Sequence, residues 1–285
     1  MRIAVDVMGG DYAPDAILKG ALDALDLLAP TDELVLVGQQ PVIEDILSER
    51  RVNDSRVIIE HAPDVIEMHD KAAKAVRAKP ESSVVKMARL GSRKHPAPAD
   101  VVLSAGNTGA CVSAAIMHMK RMPGVHRPGI AVTIPAFYGP VVLCDAGANP
   151  EPLPQHLWQY GVMADSYARH VLGIENPRLG VMNIGAEESK GSERVRAVSD
   201  LLKKTPGLNT IGFVEGRDLF DGTVDVVVTD GFVGNALLKM AEGLAASLMK
   251  AIAHEIAEYD PNLILEMEPA IKRLYKKNDY HEYGG

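Results

Sequence analysis

Cysteine is scarce in this chain, which holds only Cys111 and Cys144 among its 285 residues. Two isolated cysteines match neither a disulfide framework nor a zinc site, so the pattern favours a reducing cytoplasm. Long apolar runs are also missing. Gly9, Gly10 and Asp11 interrupt the amino terminus, and no run elsewhere approaches the roughly 18 residues of a membrane span. We therefore expect neither a signal peptide nor a membrane-spanning helix.

Excess positive charge is lacking as well, since the formal net charge is −8. Such a balance argues against an extended nucleic-acid surface, and we expect no nucleic-acid partner. The dinucleotide pattern G-x-G-x-x-G and the P-loop pattern are both absent, so no nucleotide cofactor is expected. No Ser-His-Asp or Cys-His arrangement stands out, and Cys111 within "GACVSAA" is typical of a small buried thiol. Asp6, Asp11, Asp145 and Asp230 lack the spacing of a calcium loop, so we expect no metal.

Short valine-rich runs alternate with helix-length amphipathic stretches, which predicts an α/β fold with a mainly parallel sheet. The runs are "RIAVDVM", "ELVLVG", "RVIIEH", "DVVLSAG", "GIAVTIP", "PVVLCDAG", "RLGVMNIG", "TIGFVEG" and "DVVVTDG". Between "IAVTIP" and "VVLCD" only Ala136, Phe137, Tyr138 and Gly139 intervene, too few for a parallel crossover. This pair is predicted to be antiparallel, and the sheet mixed. With no linker or composition shift, we expect a single α/β domain over residues 1–285.

The carboxyl-terminal part predicts a helical hairpin over residues 236–277. Apolar residues recur there at helical spacing, and "DPN" separates two segments: Leu237, Met240, Leu244, Leu248 and Ile252 in the first, and Leu263, Ile264, Leu265 and Met267 in the second. Cations accompany the second segment, namely Lys272, Arg273, Lys276 and Lys277. An apolar tip beside cations suits a membrane surface, while burial of the same stripe in a dimer is an equal alternative.

Six strands end in glycine-bearing turns: "MGGD", "SAGNTG", "DAGAN", "NIGAEESKG", "VEGRD" and "DGFVGN". Two of them share one pattern, in which Asp100, Gly106 and Gly109 correspond to Asp225, Gly231 and Gly234. In an open parallel sheet the ligand lies beyond the carboxyl ends of the strands. Glycine allows close approach, and amides at a helix start can hold an anion, so the turns predict a phosphate or oxyanion site. The alternative is that each glycine merely permits a tight turn.

Two side chains in these turns have acid–base or charge chemistry. Lys190 in "NIGAEESKG" can offset developing negative charge, or it is a solvated lysine paired with Glu187 or Glu188. His156 follows "DAGAN" near a helix start. It can donate to or accept from a substrate, or it satisfies a backbone group.

Taken in order, "MRIAVDVMGGDYAPD", "VVLSAGNTGA", "DAGANPEPLPQHLWQY", "GVMNIGAEESKG", "VEGRDLFDG" and "VVVTDGFVGNALLK" closely resemble the bacterial phosphate acyltransferase family over the whole chain. The resemblance implies a homodimeric Rossmann-like fold related to isocitrate and isopropylmalate dehydrogenases and to phosphotransacetylase. It implies transfer of a long acyl group from acyl carrier protein to inorganic phosphate, for phospholipid synthesis, in the cytoplasm or peripherally on the inner face of the membrane. Phosphate is itself the nucleophile in that reaction, so no catalytic triad is expected.

The resemblance also implies a set of site residues. Lys190, Asn107 and His156 are expected to be catalytic, with Lys190 stabilising the charge that builds on the thioester carbonyl and the phosphate. The expected substrate-binding and phosphate-binding residues are Ser104, Gly106, Thr108, Gly109, Asp145, Asn149, Asn183, Gly185, Gly191, Asp230, Gly231, Gly234 and Asn235.

Tyr12, Ser192 and Phe213 depart from the family's pattern, and the family's carboxyl-terminal segment beyond residue 285 is expected to be absent. These departures keep two alternatives open: a short-chain phosphotransacylase using coenzyme A, and a catalytically idle adaptor for the carrier protein or the membrane. The acidic carrier needs a basic docking surface. Its candidate residues are Arg89, Arg93 and Lys94, or Lys120, Arg121 and Arg127.

Overall fold

The computed structural model describes residues 1–277, excluding the side chains of residues 261, 262, 264, 265 and 274–277. Of the predicted hairpin, the side chains of Ile264, Leu265, Lys276 and Lys277 lie outside the described set. The chain divides into two compact units, Met1–Gly124 and Val125–Gly285. A single α/β domain over 1–285 stays a prediction.

The first unit is a four-stranded, wholly parallel sheet with helices between the strands. The strand order is β3-β2-β1-β4. Its elements are β1 (Arg2–Asp6), α1 (Asp15–Asp23), a 3-10 helix (Ala24–Leu27), β2 (Glu33–Gly38), α2 (Gln40–Glu49), β3 (Val57–His61), α3 (Ala72–Ala78), α4 (Ser83–Leu90), β4 (Val101–Ser104) and α5 (Thr108–His118). Alternate residues of β2 enter separate cores, since Val35 and Val37 pack on one face and Leu34 and Leu36 on the other. Burial on both faces explains why β2 is continuously apolar.

The second unit is a five-stranded mixed sheet with the order β5-β6-β9-β7-β8. Its elements are β5 (Ala131–Ile134), β6 (Val141–Cys144), α6 (Pro154–His170), β7 (Arg178–Met182), α7 (Glu193–Lys203), β8 (Asn209–Val214), a 3-10 helix (Gly216–Leu219), β9 (Val226–Val228), α8 (Gly231–Tyr259) and α9 (Pro261–Lys277). Only β5 and β6 pair antiparallel, as their short connection predicts. All nine valine-rich runs form strands, so the predicted α/β class is confirmed, with the strands shared between two sheets.

The repeated pattern has a structural counterpart at the start of β4 and of β9. A carboxylate oxygen of Asp100 accepts the N–H of Arg2, and one of Asp225 accepts the N–H of Arg178, both at 2.7 Å. Each aspartate thereby ties its strand to the first residue of the neighbouring strand. The repeat therefore encodes the same local pairing in both units.

The helical carboxyl terminus is confirmed. Helix α8 begins at Gly231, earlier than predicted, and only Asp260 separates it from α9, against which it packs. Four of its predicted stripe residues are exposed: Met240, Leu244, Leu248 and Ile252. Among the described residues, no helix combines the length and the apolar character needed to cross a membrane.

Candidate functional site

In the first unit, the turns after β1 and β4 meet backbone to backbone. A Cβ on Gly9 would lie 2.9 Å from the Cα of Gly106 and 2.6 Å from Oδ2 of Asp6. Cβ contacts this short do not occur without a shift of the neighbours, so close packing alone requires glycine there. The turn glycines of this unit therefore have a packing role that the anion interpretation did not include.

Asp6 anchors this pair of turns, a role that its sequence context did not indicate. Its buried Oδ2 accepts the Ser104 hydroxyl at 2.7 Å, and its Oδ1 accepts the N–H of Met8 at 3.1 Å. Burial raises the pKa of the Asp6 carboxyl, against the opposing hydrogen bonds from Ser83, Ser104 and the backbone. Ser104 Oγ also accepts the N–H of Gly106 at 3.1 Å, so the predicted site residue Ser104 connects strand and turn.

Asn107, predicted to be catalytic, uses its side chain to organise the chain around it. Its Oδ1 accepts the N–H of Ala110 at 3.1 Å and so caps α5. Its Nδ2 donates to the carbonyl oxygens of Glu67, Met68 and Asp70 at 3.3, 3.0 and 3.1 Å. The groups left open at this helix start are the N–H groups of the exposed Thr108 and Gly109.

In the second unit, Asp145 is the centre of the turn "DAGAN". Its fully buried carboxylate accepts N–H groups through both oxygens. Oδ1 accepts from the backbone of Ile130, Gly147 and Ala148 at 3.0, 3.1 and 3.0 Å. Oδ2 accepts from the backbone and the side-chain amide of Asn149 at 2.8 and 3.1 Å. The amides expected to face a ligand are therefore turned inward onto Asp145.

The turn "DGFVGN" packs directly on this ring of hydrogen bonds. Gly231 donates its N–H to the carbonyl of Asn149 at 2.8 Å, and a Cβ on Gly231 would lie 2.9 Å from Asn149 N. A Cβ on Gly234 would overlap the carbonyl oxygen of Asp145. Both glycines are thus required by close approach of two backbones. Asn235, the last predicted site residue of this turn, is exposed, and its side chain faces Gly147.

Lys190 lies on the loop that follows β7. Asn183 Nδ2 donates to the Gly185 carbonyl at 2.9 Å and lies against Gly191, which closes the loop on itself. Lys190 is exposed, and its ammonium has no hydrogen-bond or ion-pair partner among residues 1–277. Glu188 instead pairs with Lys203 at 2.9 Å. The alternative of a Lys190 paired with Glu187 or Glu188 is therefore not what the structure shows.

Asp230 caps α8, and an arginine that the sequence did not single out contacts it. Asp230 Oδ1 accepts the N–H of Val233 at 2.9 Å, and Oδ2 accepts Nη2 of Arg194 at 3.0 Å. Gly234 donates its N–H to the Asp230 carbonyl, which leaves Phe232 with the open N–H of this helix start. No spacing signal identifies Arg194, because its partner lies 36 residues further along the chain.

His156 accepts a backbone hydrogen bond through Nδ1, while its other ring nitrogen, Nε2, is not used in this bond. Its Nδ1 accepts the N–H of Leu153 at 3.1 Å, so the neutral ring carries its proton on Nε2. Burial lowers the pKa of His156, and the nearby positive charge of Arg127 and then of His126 lowers it further. The buried ring is thus held neutral, with a hydrogen-bond donor at Nε2.

The order β6-β9-β7 brings the turns of the second unit to one sheet edge, because parallel strands end on the same side. Asp145 follows β6, Asp230 follows β9, and Lys190 follows β7. Donors at this edge without a partner among the described residues include the Lys190 ammonium, the Asn235 side chain and the N–H of Phe232. Within the described part of the chain, no three His, Cys, Asp or Glu side chains form a metal site. The edge is therefore suited to an anion.

The three departures from the family's pattern are accommodated locally. Ser192 caps α7, since its Oγ accepts the N–H of Val195 at 3.3 Å. Phe213 lies within β8 and packs on the core of the second unit, and Tyr12 is exposed. None of the three disturbs the hydrogen bonds of Asp145.

The architecture matches known structures at low sequence identity. A EutD phosphotransacetylase from Staphylococcus aureus superposes with a TM-score of 0.61 at 17% identity, covering 86% of this chain and 82% of that one. A phosphotransacetylase from Streptococcus pyogenes gives the same TM-score, identity and coverage. The expected phosphotransacetylase-type fold is therefore confirmed, and it defines the structural class of the chain.

The sequence comparisons then place the chain in one family. The family described as "Fatty acid synthesis protein" matches residues 1–285, and the chain belongs to it. A phosphate acyltransferase of Dictyoglomus turgidum is 42% identical over 288 residues, spanning 100% of this chain and 84% of that protein. A phosphate acyltransferase of Pelotomaculum thermopropionicum is 45% identical over 287 residues, with 100% and 82% covered. The resemblance noted from the motifs is confirmed.

Replacing Asp145 tests its role as the centre of the turn. We expect Asp145→Asn to lower the free energy of unfolding by about 3 kcal/mol, because an amide N–H₂ would face the donors that now meet a carboxylate oxygen. Urea unfolding measures the effect. The exposed Asp200 on α7 provides a matched control, for which Asp200→Asn stays within about 0.5 kcal/mol. Equal effects of the two substitutions would contradict the assignment.

The lowered pKa of His156 predicts a pH dependence. A group with a depressed folded pKa contributes stability that is present above its unfolded value, about 6.5, and lost as pH falls through the folded value. We expect the melting temperature to drop less between pH 7.5 and 5 in His156→Asn, which keeps an acceptor for Leu153 N–H. Nitrogen NMR of the wild-type ring should show the neutral Nε2–H form at pH 7. A protonated ring at pH 7 would disprove this assignment.

Proposed function

We propose that this chain transfers a long-chain acyl group from acyl carrier protein to inorganic phosphate, producing acyl phosphate for phospholipid synthesis. The family and the names of the relatives support the reaction class. The observation that carries the proposal is the unpaired Lys190 ammonium at the sheet edge shared with the Asp145 and Asp230 turns. A cation in that position can stabilise both phosphate and a developing oxyanion.

In this reaction a phosphate oxygen attacks the thioester carbonyl carbon. The new C–O bond forms and the carbonyl oxygen becomes negative; collapse of the intermediate then breaks the C–S bond, and the proton of monohydrogen phosphate ends on the leaving thiolate, which gives the carrier thiol. Lys190 stabilises the oxyanion, and the Nε2–H of His156 and the Asn235 side chain are further donors on the second unit. Asn107 acts by shaping the start of α5, where the N–H groups of Thr108 and Gly109 are open to an anion.

The thiols of the chain support direct attack by phosphate. Burial raises the pKa of Cys111 and raises that of Cys144 strongly. The thiolate is the nucleophilic form of cysteine, so neither thiol is prepared to form an acyl-enzyme at neutral pH. Neither thiol therefore competes with phosphate for attack on the thioester.

We propose docking of the acidic carrier through exposed basic residues. Arg93 and Lys94 on the loop before β4 and Arg127 before β5 are exposed, whereas Arg89 is paired with Glu81 at 2.9 Å. Lys120 donates to the Met117 carbonyl at 2.7 Å, so its ammonium is partly engaged. Exposed cations raise the association rate with an acidic partner and make it sensitive to salt.

Homodimer formation and peripheral membrane contact, with a cytoplasmic location, belong to the same proposal. The exposed apolar residues of α8 support an interface of one of these kinds, because a stripe of this size on one helix is unusual for a fully solvated surface. Sedimentation of the purified protein alone reports dimer formation, and sedimentation with anionic vesicles reports membrane binding.

The proposal predicts a large effect of Lys190→Ala. With palmitoyl-acyl carrier protein and phosphate as substrates, acyl phosphate formation should fall by about 10²-fold, the usual effect of removing one oxyanion donor. Lys204→Ala removes an exposed cation from the end of α7 and should leave the rate unchanged. Phosphorus NMR detects the product directly.

Substrate comparison separates the alternatives. Faster turnover of butyryl-coenzyme A than of the palmitoyl carrier protein would favour a short-chain phosphotransacylase. A folded protein that binds phosphate but forms no acyl phosphate from either substrate would favour the adaptor.

A further inference from the structure

Arg194 occupies a position where a cation is electrostatically unfavourable. It is the second residue of α7, and a helix amino terminus carries partial positive charge from its open N–H groups. The unpaired Lys190 lies just before the same helix. Two cations at one helix start raise the question of which negative charge compensates them.

Glu193 lies in the same first turn, and the carboxylate that pairs directly with Arg194 is that of Asp230. Arg194 Nη2 lies 3.0 Å from Asp230 Oδ2, and the Asp230 side chain is only 15% exposed. Asp230 in turn caps α8 through its other oxygen. One ion pair therefore connects the start of α7, which carries the Lys190 loop, to the start of α8.

A phosphate site at this edge would lie near the carboxylates of Asp145 and Asp230, which follow strands β6 and β9. Asp145 is compensated by the N–H groups that surround it. Asp230 receives one backbone N–H and the Arg194 guanidinium, so without Arg194 most of its charge would repel a phosphate dianion approaching Lys190 or Phe232 N–H. Arg194 is the residue that removes this repulsion.

We propose that Arg194 is a positioning residue for phosphate: it neutralises Asp230 and holds the Lys190 loop against the start of α8. The inference rests on the proposed function for the identity of the anion. In this proposal Arg194 does not contact phosphate or the acyl thioester. It affects phosphate affinity indirectly, by pairing with Asp230 and by positioning Lys190.

A second arginine–aspartate pair provides the matched control. Arg178 at the start of β7 pairs with Asp225 at 2.8 Å, at the edge of the same sheet opposite to Lys190. The Arg178–Asp225 pair connects the starts of β7 and β9, which pair with each other. The Arg194–Asp230 pair connects the segments that follow the ends of the same two strands. Loss of Arg178 should reduce stability without changing phosphate affinity.

The experiment measures the phosphate KM, the carrier-protein KM and kcat of wild type, Arg194→Met, Arg194→Lys and Arg178→Met at one ionic strength. We expect Arg194→Met to raise the phosphate KM about tenfold, equivalent to roughly 1.4 kcal/mol, with the carrier-protein KM within about twofold. Arg194→Lys should retain most of the affinity. Arg178→Met should lower the melting temperature and leave the phosphate KM unchanged.

The double variant Arg194→Met with Asp230→Asn distinguishes charge compensation from a purely structural role. Asparagine still caps a helix, so the start of α8 is preserved while the repelling charge is removed. We expect the double variant to bind phosphate more tightly than Arg194→Met alone. Additive or worse losses in the double variant would overturn the proposal.

A binding readout separates this inference from the proposed function. The rise in melting temperature with inorganic phosphate, at constant ionic strength, reports affinity without acyl transfer. In one outcome, wild type forms no acyl phosphate, but phosphate raises its melting temperature, and this rise is lost in Arg194→Met and regained in the double variant. The inference about Arg194 then stands, and the proposed reaction fails. If acyl phosphate forms and Arg194→Met leaves the phosphate KM and the thermal shift unchanged, the reaction stands and the inference is wrong.

Discussion

The buried carboxylate of Asp145 is the interaction on which the second unit's site depends. A charge without solvent is tolerated only when hydrogen bonds replace its hydration, and Asp145 obtains them from Ile130 and from the three residues 147–149. This requirement determines the course of the turn. The carbonyl of Asn149, the last residue of this turn, then accepts the N–H of Gly231, the first residue of α8. The position of the helix therefore follows from the solvation of one carboxylate.

The hydrogen bonds within the turns determine which donors remain available to an anion. Several amides of the glycine-rich turns are directed to the protein itself: to Asp145 and Asn149 in the second unit, and to Asp6 and Ser104 in the first. In the turns around Asp145 and at the start of α8, the backbone donor without a partner among the described residues is the N–H of Phe232, so under our proposal the side chains of Lys190 and Asn235 add to it. This gives Lys190 its importance and makes the compensation of Asp230 by Arg194 necessary. Close packing of two backbones accounts for Gly9, Gly231 and Gly234.

Sequence patterns predicted the elements well because strand composition and connection length are local properties. The nine apolar runs and the antiparallel β5–β6 pair are of this kind. The division into two sheets was not predictable, since it depends on pairings between distant strands such as β6 with β9. Two further contacts are equally non-local. Asn107 donates hydrogen bonds to three carbonyl groups within residues 67–70, and Arg194 pairs with Asp230. Residue type and motif predicted roles for Lys190 and His156, and these roles stay predictions, whereas the tautomer of His156 could be assigned only from the contact with Leu153.

Amide hydrogen exchange measured by NMR tests the central role of Asp145 most directly. The account predicts that the N–H groups of Ile130, Gly147, Ala148 and Asn149 exchange slowly, close to the rate of global unfolding, although they lie outside helices and strands. The N–H of Phe232 should exchange far faster, because it has no partner among the described residues. Exchange of the four amides as fast as that of Phe232 would show that the carboxylate does not hold the turn, and would contradict the account.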